Sequence, residues 1–147
     1  MTPSDSSRLF QAWLADRSIS LQGLSIPALV DAVLAFYESV LCSGLSSGPD
    51  SDMLLYQWGV YNWGEGEHFE FDLTRQFIEQ DDDGISQLHI TAYFEPTDEL
   101  RRVAPGNQWC EHVAKVNDLR QFIEASPAYR AVMGQGPQRV AVAWSLV

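Results

Sequence analysis

Three histidines and a dense run of acids are the groups in this chain with chemistry to offer. His68, Glu70 and Asp72 alternate along one stretch, and His89, Thr91 and Tyr93 alternate along the next. A strand sends successive side chains to opposite sides, so each trio shares a face. Imidazoles beside carboxylates suit ligation of a shared metal if they lie close enough, and are otherwise solvated histidines on an acidic face. If Asp83-Gly84 closes a two-residue hairpin, His89 falls opposite Ile78, ten residues along the partner strand from His68. At about 3.3 Å per residue that distance is far too long for one shared metal, and no metal site is expected.

Other combinations carry less. Cys110 and His112 point the same way in a strand, as a thiolate–imidazole pair needs to, but neither an oxyanion site nor an orienting group accompanies them. Asp81-Asp82-Asp83-Gly84 looks like a calcium loop until position 12, counted from Glu79, turns out to be Ile90 instead of a carboxylate. Gly64-Glu65-Gly66 lacks the lysine and the following helix of a phosphate loop. Pairs such as Glu70 and Asp72 suit hydrolysis at the right separation, but thirteen acids between residues 50 and 99 make chance pairs inevitable. No catalytic or cofactor motif remains, so the chain is read as a non-catalytic binder without a cofactor.

The elements that hold these groups centre on Leu54 to Phe94, three apolar-alternating runs separated by two glycine-containing polar breaks. That pattern predicts an antiparallel meander. In the second run Phe69, Phe71, Leu73 and Phe77 share one side; in the third, Leu88, Ile90, Ala92 and Phe94 do. Hairpin loops of two or four residues both bring apolar opposite apolar; the two-residue loop pairs Leu73 with Phe94 and Phe77 with Ile90. The first run is divided, with Tyr56, Trp58 and Val60 on one side and Leu55, Tyr61 and Trp63 on the other. The loop after Trp63 decides which set joins the core, and some large aromatics are expected to lie away from it as a partner patch or under a covering segment.

Arg75 breaks the apolar side between Leu73 and Phe77. A guanidinium there needs a compensating anion, which an internal carboxylate, or an anionic ligand in a pocket under the sheet, would supply.

Around the meander, Leu9, Phe10, Trp13 and Leu14 predict an amphipathic helix near residues 7–16. A second, largely buried helix enters at Pro27 and carries Leu29, Val30, Val33, Leu34, Phe36 and Tyr37. Thr97 caps a single turn through Leu100, Asn117 caps a helix bearing Leu119, Phe122 and Ile123, and Ser126-Pro127 restarts helix. Residues 109–116 fit a short strand or irregular chain, and Arg139 to Val147 closes as a strand. The order α-α-β-β-β-α-α-β predicts an α+β fold: a mostly antiparallel sheet of about four strands with helices packed on one face.

A chain of 147 residues with 46% hydrophobic and 12% aromatic content fits a single globular domain over residues 1–147. Cys42 and Cys110 lack metal-ligand spacing and read as buried thiols, with a single disulfide open. No start signal and no long apolar run points to secretion or membrane spanning, so a cytoplasmic, bacterial-type protein is expected, arginine-rich as in a host with GC-rich coding DNA. The net charge of −11 is concentrated: residues 50–99 oppose their thirteen acids with Arg75 alone. That stretch repels phosphate backbones and disfavours nucleic acid, while it favours a basic protein partner. The leading expectation is an acidic sheet face that meets such a partner, as a neutraliser of it, or a second copy of the chain, through Trp58, Tyr61, Trp63, Glu65, Glu67, Glu70 and Asp72. The alternatives are a small-ligand protein or enzyme using Arg75, and a structural homo-oligomer.

Overall fold

Five strands pair into one antiparallel sheet in the order β4-β1-β2-β3-β5, as β1 (Met53–Trp63), β2 (Gly66–Ile78), β3 (Ile85–Phe94), β4 (Cys110–Lys115) and β5 (Arg139–Leu146). The computed structural model describes residues 3–41, 53–64, 66–78 and 85–146. Among these, five α-helices accompany the sheet: α1 (Pro3–Asp16), α2 (Ile26–Phe36), α3 (Asp98–Val103), α4 (Val116–Ala125) and α5 (Pro127–Val132). The α+β class stands, with five strands where about four were expected. The extra one is β4. Glu111, His112 and Val113 are all exposed there, so the six-residue strand has no apolar alternation to reveal it.

Register decides which side chains meet. Strand β1 ends at Trp63 and β2 begins at Gly66, which sets Val60 opposite Phe69, Trp58 opposite Phe71 and Tyr56 opposite Leu73. Gly64 takes φ +65°, a turn conformation that suits glycine. The ambiguity of the first run is thereby settled: Leu54, Tyr56, Trp58 and Val60 join the core. Between β2 and β3 the ladder closes at Ile78–Ile85, so Phe69 faces Phe94 and Leu73 faces Ile90. The tight Asp-Gly pairing of Leu73 with Phe94 is therefore not formed. The slip is an even number of residues, so the described side chains keep their expected faces. Residues 79–84, with the Asp81–Gly84 break, lie outside the described residues.

The apolar face continues into Val140 and Val142 of β5 and is covered by helices whose ends the sequence marks. Ser25 caps α2, its hydroxyl accepting from the Ala28 N–H at 3.3 Å, and Pro27 sits in the first turn. Thr97 caps α3 through the Leu100 N–H at 3.1 Å, as its position predicts. Helix α1 begins earlier than expected, at Pro3, and α2 runs on into a π-helical turn over Tyr37–Leu41. Asn117 is not a cap: α4 starts at Val116 because β4 passes into it directly, with Lys115 at the junction.

Two local contacts fix the rims. On the β5 side, the Ser7 hydroxyl of α1 accepts from the Val142 N–H (2.8 Å) and donates to the Val142 carbonyl (3.1 Å), closing that edge. On the β1 side, residues 105–107 pair with Val60, through Val60 N–H to the Pro105 carbonyl (3.0 Å) and Asn107 N–H to the Val60 carbonyl (2.6 Å). The chain then crosses Gly59 so closely that a Cβ there would lie 2.3 Å from the Gln108 backbone oxygen.

Gly59→Ala should therefore displace this crossing and destabilise the fold by about 1–3 kcal/mol, measured as a lower urea midpoint with unchanged slope. Ser7→Ala leaves a buried backbone N–H and carbonyl on β5 without their partner, and should lower the midpoint by a similar amount, about 1–3 kcal/mol.

Candidate functional site

The face of the sheet away from the helix layer carries the polar side chains. Register sets them in transverse rows: Gly59, Glu70, Tyr93 and Arg139 in one, and Gln57, Asp72, Thr91 and Ala141 in the next. Leu55, Thr74, His89 and Ala143 form a third, and Tyr61 stands opposite His68. Glu70 and Asp72 are thus neighbours in the middle of the face, about 7 Å apart along β2.

Each of the two carboxylates is tied to an imidazole. His68 Nε2 lies 2.8 Å from Glu70 Oε1, and His89 Nε2 lies 3.0 Å from Asp72 Oδ1. The Thr91 hydroxyl donates to Asp72 as well. His89 does not face Ile78: the observed register sets it opposite Thr74 and diagonal to Asp72, within a long side chain's reach. The two histidines belong to separate pairs, and no group of three or more metal-ligating side chains occurs among the described residues. Although the face is open, the Asp72 side chain is only 10% exposed and that of Glu70 13%, because the neighbouring strands' side chains stand around them.

An aromatic frame surrounds this centre. Tyr61 packs against Trp109 at 4.9 Å and lies 6.4 Å from His68, whose ring is 6.0 Å from Tyr93. The Arg139 guanidinium sits 3.9 Å over the Tyr93 ring, a cation–π contact. The Tyr61 hydroxyl is buried, with no hydrogen-bond partner among the described residues. Desolvation, and then the negative charge of Glu70 and Asp72, raise its pKa. Beside the frame, a groove of about 500 Å³ runs past Glu67, His68, Tyr93, Glu95 and Arg139. Glu67 is bound there by Arg101 at 2.6 Å.

The residues expected to bind a partner divide. Tyr61, Glu70 and Asp72 belong to the polar side of the sheet, whereas Glu67, opposite Asn62, has the parity of Phe69 and Phe71 and lies at the strand's end on the other side, where Arg101 holds it. Trp58 does not: it lies on the helix-covered face, 8% exposed and stacked on His112 at 4.9 Å. Glu65 and the side chain of Trp63 lie outside the described residues. Arg75 is buried on the apolar face, with Nη1 3.6 Å from Glu38 Oε1 in the π-helical turn, an arrangement in keeping with an internal ion pair. Cys110 and His112 share a face, but the His112 ring lies flat against Trp58 and Tyr56, so packing accounts for it. Cys42 lies outside the described residues. Gln57, Trp109 and Arg139 were not singled out from sequence. Arg139 alternates with Val140, so its side was legible once β5 is known to lie against β3.

The hydrogen bond to Asp72 raises the pKa of His89 above its ordinary value of about 6.5, against the opposing effect of burial. A group with a raised folded-state pKa stabilises fully below its unfolded value, and that stabilisation is lost as pH rises through the folded one. Wild-type protein should accordingly lose melting temperature as pH rises from below to well above the ordinary histidine value of about 6.5, relative to His89→Gln, in which this component is absent. Parallel melting curves of the two proteins across that range would contradict the assignment.

No family model, curated protein or solved structure matches this chain, so the geometry of the open face is what speaks for its chemistry.

Proposed function

We propose that this chain is a non-catalytic binding module whose open sheet face receives a cationic segment of a protein partner. Glu70 and Asp72 are the receiving groups, and Tyr61, Tyr93 and Trp109 are the walls. The observation that carries the reading is the state of the two carboxylates: both are largely withdrawn from water, yet on a face that no described helix covers. A carboxylate held this way is weakly hydrated and fixed in orientation, so an arginine or lysine gains more from it than from a freely solvated acid. Aromatic walls around a desolvated polar centre resemble the arrangement that concentrates binding energy at protein interfaces. The chain's net charge of −11 would steer a basic partner toward the surface and make the encounter salt-sensitive. Such a module neutralises a basic protein by occupying its cationic surface.

Titration with arginine- and lysine-containing peptides, followed by fluorescence anisotropy at two salt concentrations, tests this. Glu70→Gln with Asp72→Asn should weaken binding by at least about tenfold, since breaking a buried charge pair costs about 2–5 kcal/mol. Asp16→Asn with Glu124→Gln, remote exposed positions of α1 and α4, removes the same charge and should leave affinity nearly unchanged. Equal losses in the two double variants would reduce the effect to net charge and sink the site. Binding should also strengthen as pH rises through the raised pKa of His89, because the imidazole then gives up the proton that shields Asp72.

A further inference from the structure

The two outer strands of the sheet are treated differently. At β5, the outward backbone groups of Val142 are both taken up by Ser7 of α1. At the other end of the order, no described strand pairs with the outer side of β4. That strand reads Cys-Glu-His-Val-Ala-Lys, with Val113 58% exposed at its centre and Glu111 and Lys115 exposed two residues to either side on the same face. An uncovered edge with an outward apolar residue is a template for another strand.

We infer that β4 pairs antiparallel with β4 of a second copy of this chain, about a two-fold axis perpendicular to the sheet at Val113. Such an axis keeps the polar faces of both copies on one side and the helices on the other, so partners across the seam have matching parity. Setting Val113 against Val113 places Glu111 of each copy opposite Lys115 of the other, twice by symmetry. Apolar meets apolar at the axis, and each acid meets a base. Shifting the pairing by two residues in either direction places His112 or Ala114 on the axis and breaks both ion pairs. On the helix side of the same rim, Phe122 of α4 is 46% exposed and lies 6.0 Å from the His112 ring, so a second copy also shields an aromatic surface. The product is one ten-stranded sheet, its two acidic centres on a common face. This pairing uses neither Glu70 nor Asp72 and stands or falls independently of what they bind.

Sedimentation from micromolar to millimolar concentration, at physiological ionic strength where charges are screened beyond about 8 Å, tests the pairing. A monomer–dimer equilibrium is expected. Glu111→Lys alone, or Lys115→Glu alone, turns both ion pairs into repulsions and should weaken the dimer about tenfold or more. The double exchange Glu111→Lys with Lys115→Glu restores the pairing with signs reversed and should recover the wild-type dimer. Val113→Lys, at an exposed position, should give a folded monomer. A monomer at every concentration, as when the edge serves a strand of some other protein, overturns the inference. So does a dimer indifferent to the single exchanges.

Discussion

A one-residue slip between any two strands of this sheet would turn the molecule inside out. The row Trp58, Phe71, Ala92 and Val140 lies directly beside the row Gly59, Glu70, Tyr93 and Arg139, and the two point to opposite faces. The first row is buried under helices; the second carries the acid and the base of the open side. Pairing in the wrong parity would put Glu70 under the helices and Phe71 in water, a change that no local contact offsets. The turn at Gly64 and the even slip between β2 and β3 are the devices that hold parity, and the rest of the structure is arranged around the two surfaces they create.

The same constraint makes the polar face rigid. A carboxylate on a loop would rotate freely, whereas Glu70 and Asp72 stand on a central strand with a hydrogen-bonded neighbour on each side. Their histidines and Thr91 come from positions whose place is fixed by the ladder, so the network has little conformational freedom to lose when something binds. The segment through Trp109 leans over Tyr61 and Gly59, the positions opposite His68 and Glu70. Gly59 connects the two roles: it sits in the row of Glu70 and gives the crossing chain the room to approach.

Alternation made much of this legible in advance. Phe69, Phe71 and Leu73 against His68, Glu70 and Asp72 assign the faces of β2 without reference to any partner, and Leu88 to Phe94 do the same for β3. Where both parities are aromatic, as in Tyr56, Trp58, Tyr61 and Trp63, the pattern has no preferred side, and only the turn to Gly66 resolves it. Where both parities mix apolar and polar residues, as Cys110, His112 and Ala114 do against Glu111, Val113 and Lys115, the strand itself is hidden. Neighbour relations between distant strands were out of reach: Thr91 and Arg139 acquire their places beside Asp72 and Tyr93 only through pairings set by the whole fold. Asn117 lies inside the helix for a related reason: Lys115 ends a strand whose mixed pattern does not announce it, and the helix begins at once.

That abrupt passage from Lys115 to Val116 has a mechanical meaning. With no linker between them, strand β4 and helix α4 behave as one bent rod, pinned to the core through Leu119 and Ile123. The outermost strand of a sheet is ordinarily the first to fray, but here peeling it away levers two buried side chains out of their seats. Opening at this margin is therefore coupled to the interior, and what grips the rim is felt beneath the sheet.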